Sequence, residues 1–336
     1  MKKTINLSHG NGGRASKELL DTIILPCFAK EKEFAFSGDS GIFEFSNLSL
    51  AFTTDSFVVS PRFFPGGDIG KLSVCGTLND LAVVGAKPQV LSCAFIIEEG
   101  FSIDELQLIL NSIEKEASAN GVRIITGDTK VVNRGEADGI YINTSGIGFR
   151  NSNLHLSPQN FRNGDRVLVS GTLAEHGFAI FTARNSLNIQ ANILSDCKSI
   201  LSMTELLFEN TPGIRLMRDP TRGGLATVLN EFVYGTKFSI ELEEDKIPLK
   251  PEVRGLAEML GMDPLYMANE GNFVAIVSEE DAKKALDLLH SHPLGENAAD
   301  IGRITNTYPG KVILHTSMGG KRMLNMLIQD LLPRIC

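Results

Sequence analysis

Asp219-Pro220-Thr221-Arg222-Gly223-Gly224 lies in the second half of a 336-residue chain and predicts a helix start. Asp219 is placed as N-cap and Pro220 at the first helical position, where a missing N–H costs nothing. Plain helix initiation accounts for Asp-Pro. It leaves over Arg222-Gly223-Gly224, which sets a cation and uncovered backbone N–H groups at the helix end that attracts anions. Two more glycine-rich segments, Ser8-His9-Gly10-Asn11-Gly12-Gly13 and Phe63-Phe64-Pro65-Gly66-Gly67, also precede predicted helices. None matches a P-loop or dinucleotide fingerprint, so each alone is a weak signal.

Working outward, Phe34-Ala35-Phe36 and Ser49-Leu50-Ala51-Phe52 read as strands ending in Gly/Ser/Asp turns. Residues 68–85 carry apolar side chains at helical spacing behind Asp68, a capping residue. Ser102 opens a second helix with an acid three residues on, and Asn120-Gly121 stops it. A short buried strand is expected over 122–126 and another over 141–149. The polar stretch 150–164, with Ser157-Pro158 and Asn163-Gly164, marks a boundary between a unit of residues 1–150 and one of 151–332. The second half restarts with a strand at 166–170 and a helix at 174–184. Strands and helices mix without a strict βαβ rhythm, which favours α+β.

Four aspartates share a local design, each ending an apolar run beside small or hydroxyl residues: Asp39, Asp55, Asp80 and Asp128. An aspartate in a turn ordinarily bonds its own backbone. Asp80 is harder to dismiss, because it falls inside the predicted helix of residues 68–85. A carboxylate on a core-facing stripe is costly unless paired or metal-bound. Hard oxygen ligands drawn from several segments suit Mg²⁺, which usually takes a few carboxylates plus substrate phosphates.

Bulk properties exclude several classes. Hydrophobic residues make up 43% and charged residues 21%, as in a globular protein, and the net charge of -8 argues against general binding to nucleic acid or membrane surfaces. Five widely spaced cysteines (27, 75, 93, 197 and 336) contain no CxxC pair, so they are neither a disulfide framework nor a zinc site. The start, Met1-Lys2-Lys3, lacks the apolar run of a signal peptide, and a cytoplasmic location is expected. Cys75 and Cys93 stand in apolar surroundings and read as core. Cys336 is the last residue, in Pro333-Arg334-Ile335-Cys336. A terminus is a poor place for packing and a good one for a carrier: four residues reach at most roughly 14 Å. Met323-Leu324, Leu327-Ile328 and Leu331-Leu332 before it recur at near-helical spacing, so the arm is expected to begin at Pro333.

Taken in order, Asp39, Thr54-Asp55-Ser56, Asn79-Asp80, Gly127-Asp128-Thr129, Asp219 to Gly224 and Asn269-Glu270-Gly271 resemble the ATP-binding pattern of the PurM-like superfamily over nearly the whole chain. Phe64-Pro65-Gly66-Gly67, Gly127-Asp128-Thr129-Lys130-Val131-Val132 and Pro333-Arg334-Ile335-Cys336 are similar to the HypE family of hydrogenase maturation factors. The resemblance implies a two-domain α+β PurM-like fold. Its N-terminal β-sheet domain would pair with a second copy into a dimer barrel, and a C-terminal α/β domain and a carrier tail of residues 333–336 would follow. It implies ATP between the domains, held by Asp219, Arg222, Gly223, Gly66 and Gly67, with Mg²⁺ on Asp39, Asp55, Asp80 and Asp128. It also implies a HypF-like carbamoyltransferase that loads Cys336, dehydration of that group to a thiocyanate, and a HypC–HypD complex that takes the cyano group for hydrogenase iron. One departure is Ser40, where many relatives carry a second acid after Asp39.

Dehydrating a carboxamide needs its oxygen turned into a leaving group, and phosphorylation by ATP does that. The site then needs donors for phosphate and a base for the amide protons. Glu270, flanked by apolar residues, is the expected base; Lys130 is the second candidate, for the amide oxygen or the phosphate. Arg334 is expected to offset the terminal carboxylate beside the thiol. Two other readings stay open: a superfamily enzyme acting on a free substrate, and a nucleotide-sensing scaffold whose terminal thiol tethers a metal or partner.

Overall fold

The computed structural model describes residues 4–10, 12–28, 39–185, 192–327, 332 and 334–336. The strand expected at Phe34-Ala35-Phe36 and the arm's first residue, Pro333, lie outside them. Two short helices, α1 (Arg14–Leu19) and α2 (Leu25–Phe28), lead in.

The first sheet takes β1 (Gly41–Phe45), β2 (Leu48–Phe57), β5 (Ala86–Glu98), β6 (Arg123–Val132) and β7 (Ile140–Arg150), with β3 (Phe63–Phe64) and β4 (Gly67–Asp68) forming a small separate ribbon. The order is β1-β2-β7-β5-β6, antiparallel except for the β5–β6 pair. Helix α3 (Ile69–Val83) lies on this sheet, capped by the Asp68 carboxylate, which accepts from Gly70 and Lys71 N–H. Nearly every residue of α3 is buried, because the sheet covers one side and α4 (Ile103–Ala119) and the second half of the chain cover the rest. That enclosure puts the polar positions Asn79 and Asp80 under pressure to find partners.

Among the described residues, nothing covers the other face of the sheet. Phe43, Phe45, Phe52, Ile125, Val131 and Phe149 are exposed, and β6 is exposed along almost its whole length. The expectation of a short buried strand over 122–126 is therefore corrected. The apolar run does form a strand, but a longer one, at the sheet edge and exposed among the described residues.

The second sheet has the order β14-β13-β10-β12-β8-β11-β9. Its strands are β8 (Arg166–Val169), β9 (Ile214–Arg218), β10 (Ser239–Glu243), β11 (Val274–Val277), β12 (Ala299–Thr305), β13 (Val312–His315) and β14 (Lys321–Leu324). In β11, Val274 and Ile276 join a core that includes helix α7 (Gly224–Val233), while Ala275 and Val277 join one built with α6 (Leu201–Asn210) and α9 (Glu279–Ser291). Period-2 side-chain alternation thus fills both layers and makes β11 apolar at every position. Residues 323–324, expected to continue a helical repeat, lie in β14; Leu324 is nonetheless buried.

A third core joins the halves. It combines Phe57, Leu72 and Ile142 from the first sheet layer with Phe178 and Ile180 of α5 (Glu175–Asn185), Val253 and Leu256 of α8 (Pro251–Leu260), and Leu332, Ile335 and Cys336 of the chain's end. Burying each large apolar side chain contributes about 1.5–3 kcal/mol, so the end of the chain is held by packing as well as by hydrogen bonds.

Candidate active site

Carboxylate oxygens of Asp39, Asp80 and Asp219 all lie within 4.8 Å of one another. Asp39 comes from the entry to the first sheet, Asp80 from the last turn of α3, and Asp219 from the residue after β9. The Thr53 hydroxyl stands 2.7 Å from Asp80 Oδ2 and 2.9 Å from the Asp39 carbonyl, tying strand β2 to both. Burial pushes the pKa of all three upward, and Asp219 reaches about 8, through burial first and the nearby Asp39 charge second. Arg218 answers part of this charge, with ion pairs to Asp39 at 2.6 Å and Glu231 at 3.3 Å. Asp39 Oδ2 remains buried with no hydrogen-bond partner among the described residues. Three close carboxylates with an unsatisfied oxygen fit a hard divalent cation.

Asp219 was expected to cap a helix. Instead α7 starts at Gly224, its N-cap is Gly223 in the left-handed region (φ 76°), and the Asp219 side chain turns into the acidic cluster. The reason is tertiary. A Cβ at Gly224 would stand 2.5 Å from the Met267 carbonyl, so this turn must pack against the segment that leads to Glu270. The Gly224 N–H donates to the Thr221 carbonyl. Gly12 of the first glycine loop packs on Arg222, which brings two of the three glycine segments together. The third does a different job: Pro65 accepts from Ser195 N–H, and Gly66 (φ +97°) lies too close to Ser195 for any Cβ. His9 is part-exposed and bonds locally to Asn6.

Glu270 is buried at the end of a clasped turn. The Asp196 carboxylate accepts from Glu270 N–H, Gly271 N–H at 3.0 Å and Asn272 Nδ2 at 2.9 Å. Asn269 Oδ1 accepts from Ala174 N–H, and its amide donates to the Pro220 carbonyl. Asn79 reaches across from α3, donating to the Lys198 and Glu270 carbonyls and accepting from Ile200 N–H. Glu270 Oε1 itself has no partner among the described residues. Burial, then the neighbouring Cys197 and Asp219, hold its carboxyl well above the usual range. A Cβ at Gly271 would lie 1.9 Å from the Asp196 carbonyl. Gly271→Ala is therefore expected to destabilise the protein by about 1–3 kcal/mol, with an unchanged denaturant slope in urea unfolding.

The end of the chain folds back into this region. Val58 N–H donates to the Cys336 carbonyl at 3.0 Å, Ser60 N–H to Arg334 O at 3.3 Å, and His176 Nε2 lies 2.8 Å from Ile335 O. Cys336 is 8% exposed. Its negative charge is the strongest influence raising the pKa of the exposed Arg222, which also feels Asp55, Glu270 and Asp80. Arg334 does not play the part expected of it. It pairs with Asp138 at 2.6 Å and donates to Val58 O, while Arg222 sits by the terminal charge.

Half-buried Asp55 lies within the electrostatic reach of Asp39, Asp80 and Glu270, and its own carboxyl is raised by burial. Asp128 and Lys130 are placed elsewhere: on the edge strand β6, exposed, and paired with each other at 2.8 Å. Sequence reasoning missed Asp196, His176, Arg218, Arg184 and Asp138. None sits in a motif, and each acquires its role through a partner distant in sequence.

The chain matches the models of the AIR synthase related protein, N-terminal domain over residues 37–149 and C-terminal domain over 162–315. It is 47% identical to the carbamoyl dehydratase HypE of Bradyrhizobium diazoefficiens, over 99% of this chain and 96% of that protein. It is also similar to HypE solved in complex with ATP (42% identity, TM-score 0.83, covering 99% of this chain and 100% of that one). A third match is a chain of a HypE–HypF complex (41% identity, TM-score 0.86, covering 92% of this chain and 99% of that one).

Proposed function

The chain belongs to the HypE family of carbamoyl dehydratases, and on that premise we propose that it uses ATP to remove water from a carbamoyl group carried on its own Cys336. The product is the thiocyanate that supplies the cyanide ligand of hydrogenase iron. One observation carries this reading: Cys336 lies buried, and its charge is the largest influence on Arg222, an arginine that also feels Asp55, Glu270 and Asp80.

The carboxamide oxygen attacks the γ-phosphorus of ATP, and ADP leaves. One amide proton is lost as the O-phosphorylated imidate forms. Loss of the second proton pushes the nitrogen lone pair into a C≡N bond and expels phosphate. Glu270 suits the proton transfers, because burial raises its carboxyl well above the usual carboxylate range and so makes it a stronger base than an exposed glutamate. Arg222, with Gly223, holds phosphate oxygens. Asp39, Asp80 and Asp219, with Asp55 beside them, would hold Mg²⁺, which neutralises charge on the transferring phosphoryl group.

The uncovered apolar face and open edge of the first sheet support a homodimer, because a face of this kind is rarely left to water. Asp128 and Lys130 lie at that edge, so their roles as Mg²⁺ ligand and second proton-transfer candidate depend on the second copy. We take residues 1–150 and 151–332 as the two units with ATP between them, and place the reaction in the cytoplasm. No helix among the described residues is long and apolar enough to cross a membrane. A HypF-like carbamoyltransferase loads Cys336, and a HypC–HypD complex takes the cyano group.

Intact mass spectrometry tests the reading. Loading with a carbamoyl donor should add one carbamoyl group at Cys336, and ATP should then remove one water. ATP hydrolysis without that mass loss would overturn it.

A further inference from the structure

The acidic cluster contains a cation of its own, Arg218, which has no part in the dehydration steps. Arg218 is the last residue of β9, paired with Val274 of β11, and Asp219 follows it directly. One of its terminal amines lies 2.6 Å from Asp39 Oδ1 and the other 3.3 Å from Glu231 of α7. The Arg218 side chain is 23% exposed and that of Asp39 only 8%. Burial works against the charge of Arg218. Asp39 first, then Glu231, Asp219 and Asp80, outweigh that effect and raise its pKa, so the guanidinium stays charged.

The pairing is incomplete in a particular way. A guanidinium and a carboxylate often meet fork to fork, through two parallel hydrogen bonds. Here Arg218 divides its two amines between two acids. Among the described residues, Arg218 Nε and Asp39 Oδ2 are both buried without a hydrogen-bond partner. An arginine kept only to neutralise Asp39 would close that second bond. Instead Asp39 meets Arg218 through one oxygen and leaves the other open, beside Asp80 and Asp219. One carboxylate is thus shared between a resident cation and a site fit for a second. Two cations so placed repel, and a partly buried site screens them poorly. The triphosphate of ATP brings negative charge that offsets Arg218, and carboxylates with substrate phosphates are the usual surroundings of Mg²⁺.

We propose that Arg218 is a resident counter-ion that weakens binding of Mg²⁺ to the acidic cluster until nucleotide phosphates arrive, so that metal and nucleotide load together. It is a positioning residue, acting through Asp39 and through its charge. The proposal rests on Asp39, Asp80 and Asp219 being the metal ligands.

Calorimetric titrations of the full-length protein test it, with no carbamoyl group present. Arg218→Gln is expected to tighten binding of Mg²⁺ alone about ten-fold, and to weaken binding of a non-hydrolysable ATP analogue in EDTA by a similar factor, ordinary magnitudes for coupled sites. Opposite signs on the two ligands are what a lost charge produces, whereas a disturbed fold weakens both. Glu231→Gln leaves Arg218 less neutralised and should weaken Mg²⁺ binding about three-fold, the scale of one partly exposed charge pair. Arg218→Lys keeps the charge and should stay within about two-fold of the unaltered protein. Asp80→Asn should abolish binding of Mg²⁺ alone. If it does, and Arg218→Gln binds Mg²⁺ no more tightly or the analogue no less, the counter-ion role is overturned while the metal site stands. Tighter Mg²⁺ binding in Glu231→Gln would overturn that role too. Undiminished Mg²⁺ binding in Asp80→Asn would overturn both the role and the site.

Discussion

Cys336→Ser is expected to leave no nitrile on residue 336 while retaining ATP affinity within about three-fold. Sulfur is the attachment point for the carbamoyl group, so its loss removes the substrate rather than the catalyst. Serine keeps the volume, the backbone contact from Val58 N–H and the terminal carboxylate, so the surroundings of Arg222 change little. Calorimetric titration with ATP and mass spectrometry after carbamoyl loading check the two halves separately. Loss of ATP binding in the serine variant, or nitrile formation despite it, would sink the carrier reading. The variant also separates this chain from a superfamily enzyme acting on a free substrate, which would keep its turnover.

The second large effect concerns pH and metal. Burial raises the folded-state pKa of Asp39, Asp55, Asp80, Asp219 and Glu270 together. A carboxyl whose pKa is raised on folding binds its proton more tightly in the native state. The stability it contributes is therefore complete below its unfolded value and is lost as pH rises through the folded one. For Asp219 that window runs from 3.8 to about 8. Each pH unit within such a window is worth about 1.4 kcal/mol per group, although coupling makes the sum smaller than the parts. The metal-free protein should thus lose Tm steadily between about pH 5 and pH 8. Mg²⁺ should restore much more at pH 8 than at pH 5, because at the lower pH protons already occupy the carboxylates. Scanning calorimetry with EDTA and with Mg²⁺ gives both numbers. A flat or rising Tm without metal, or equal Mg²⁺ effects at the two pH values, would refute the assignment of the cluster. Asp219→Asn should flatten the slope.

Much of this was legible in the chain. Asp68 and Ser102 cap their helices because capping is settled within one turn of backbone. Asp80 stood out because a carboxylate inside an apolar helix has to be explained by something other than its neighbours, and Asp39 and Asp219 are that explanation. The apolar flanks of Glu270 pointed to burial. Errors came where a local rule met a distant partner. Asp219-Pro220 has the form of a helix start, but the acidic cluster claims the carboxylate and the close approach of Met267 pushes the start to Gly224. The apolar run at 122–126 predicts burial, and a sheet edge exposes it.

The sequence by itself singled out candidates for the chemistry: the aspartates, the glycine turns, Asn269-Glu270-Gly271 and a terminal cysteine. These are set by residue type and short spacing, which one chain displays fully. Only the tertiary structure decided where they meet. It turned the chain's end back onto the fold, gave Arg334 to Asp138 and the terminal charge to Arg222, and made Asp196 the clasp of the Glu270 turn. Those choices depend on pairings between residues far apart in sequence, whose strength is set by burial and geometry that no local pattern encodes.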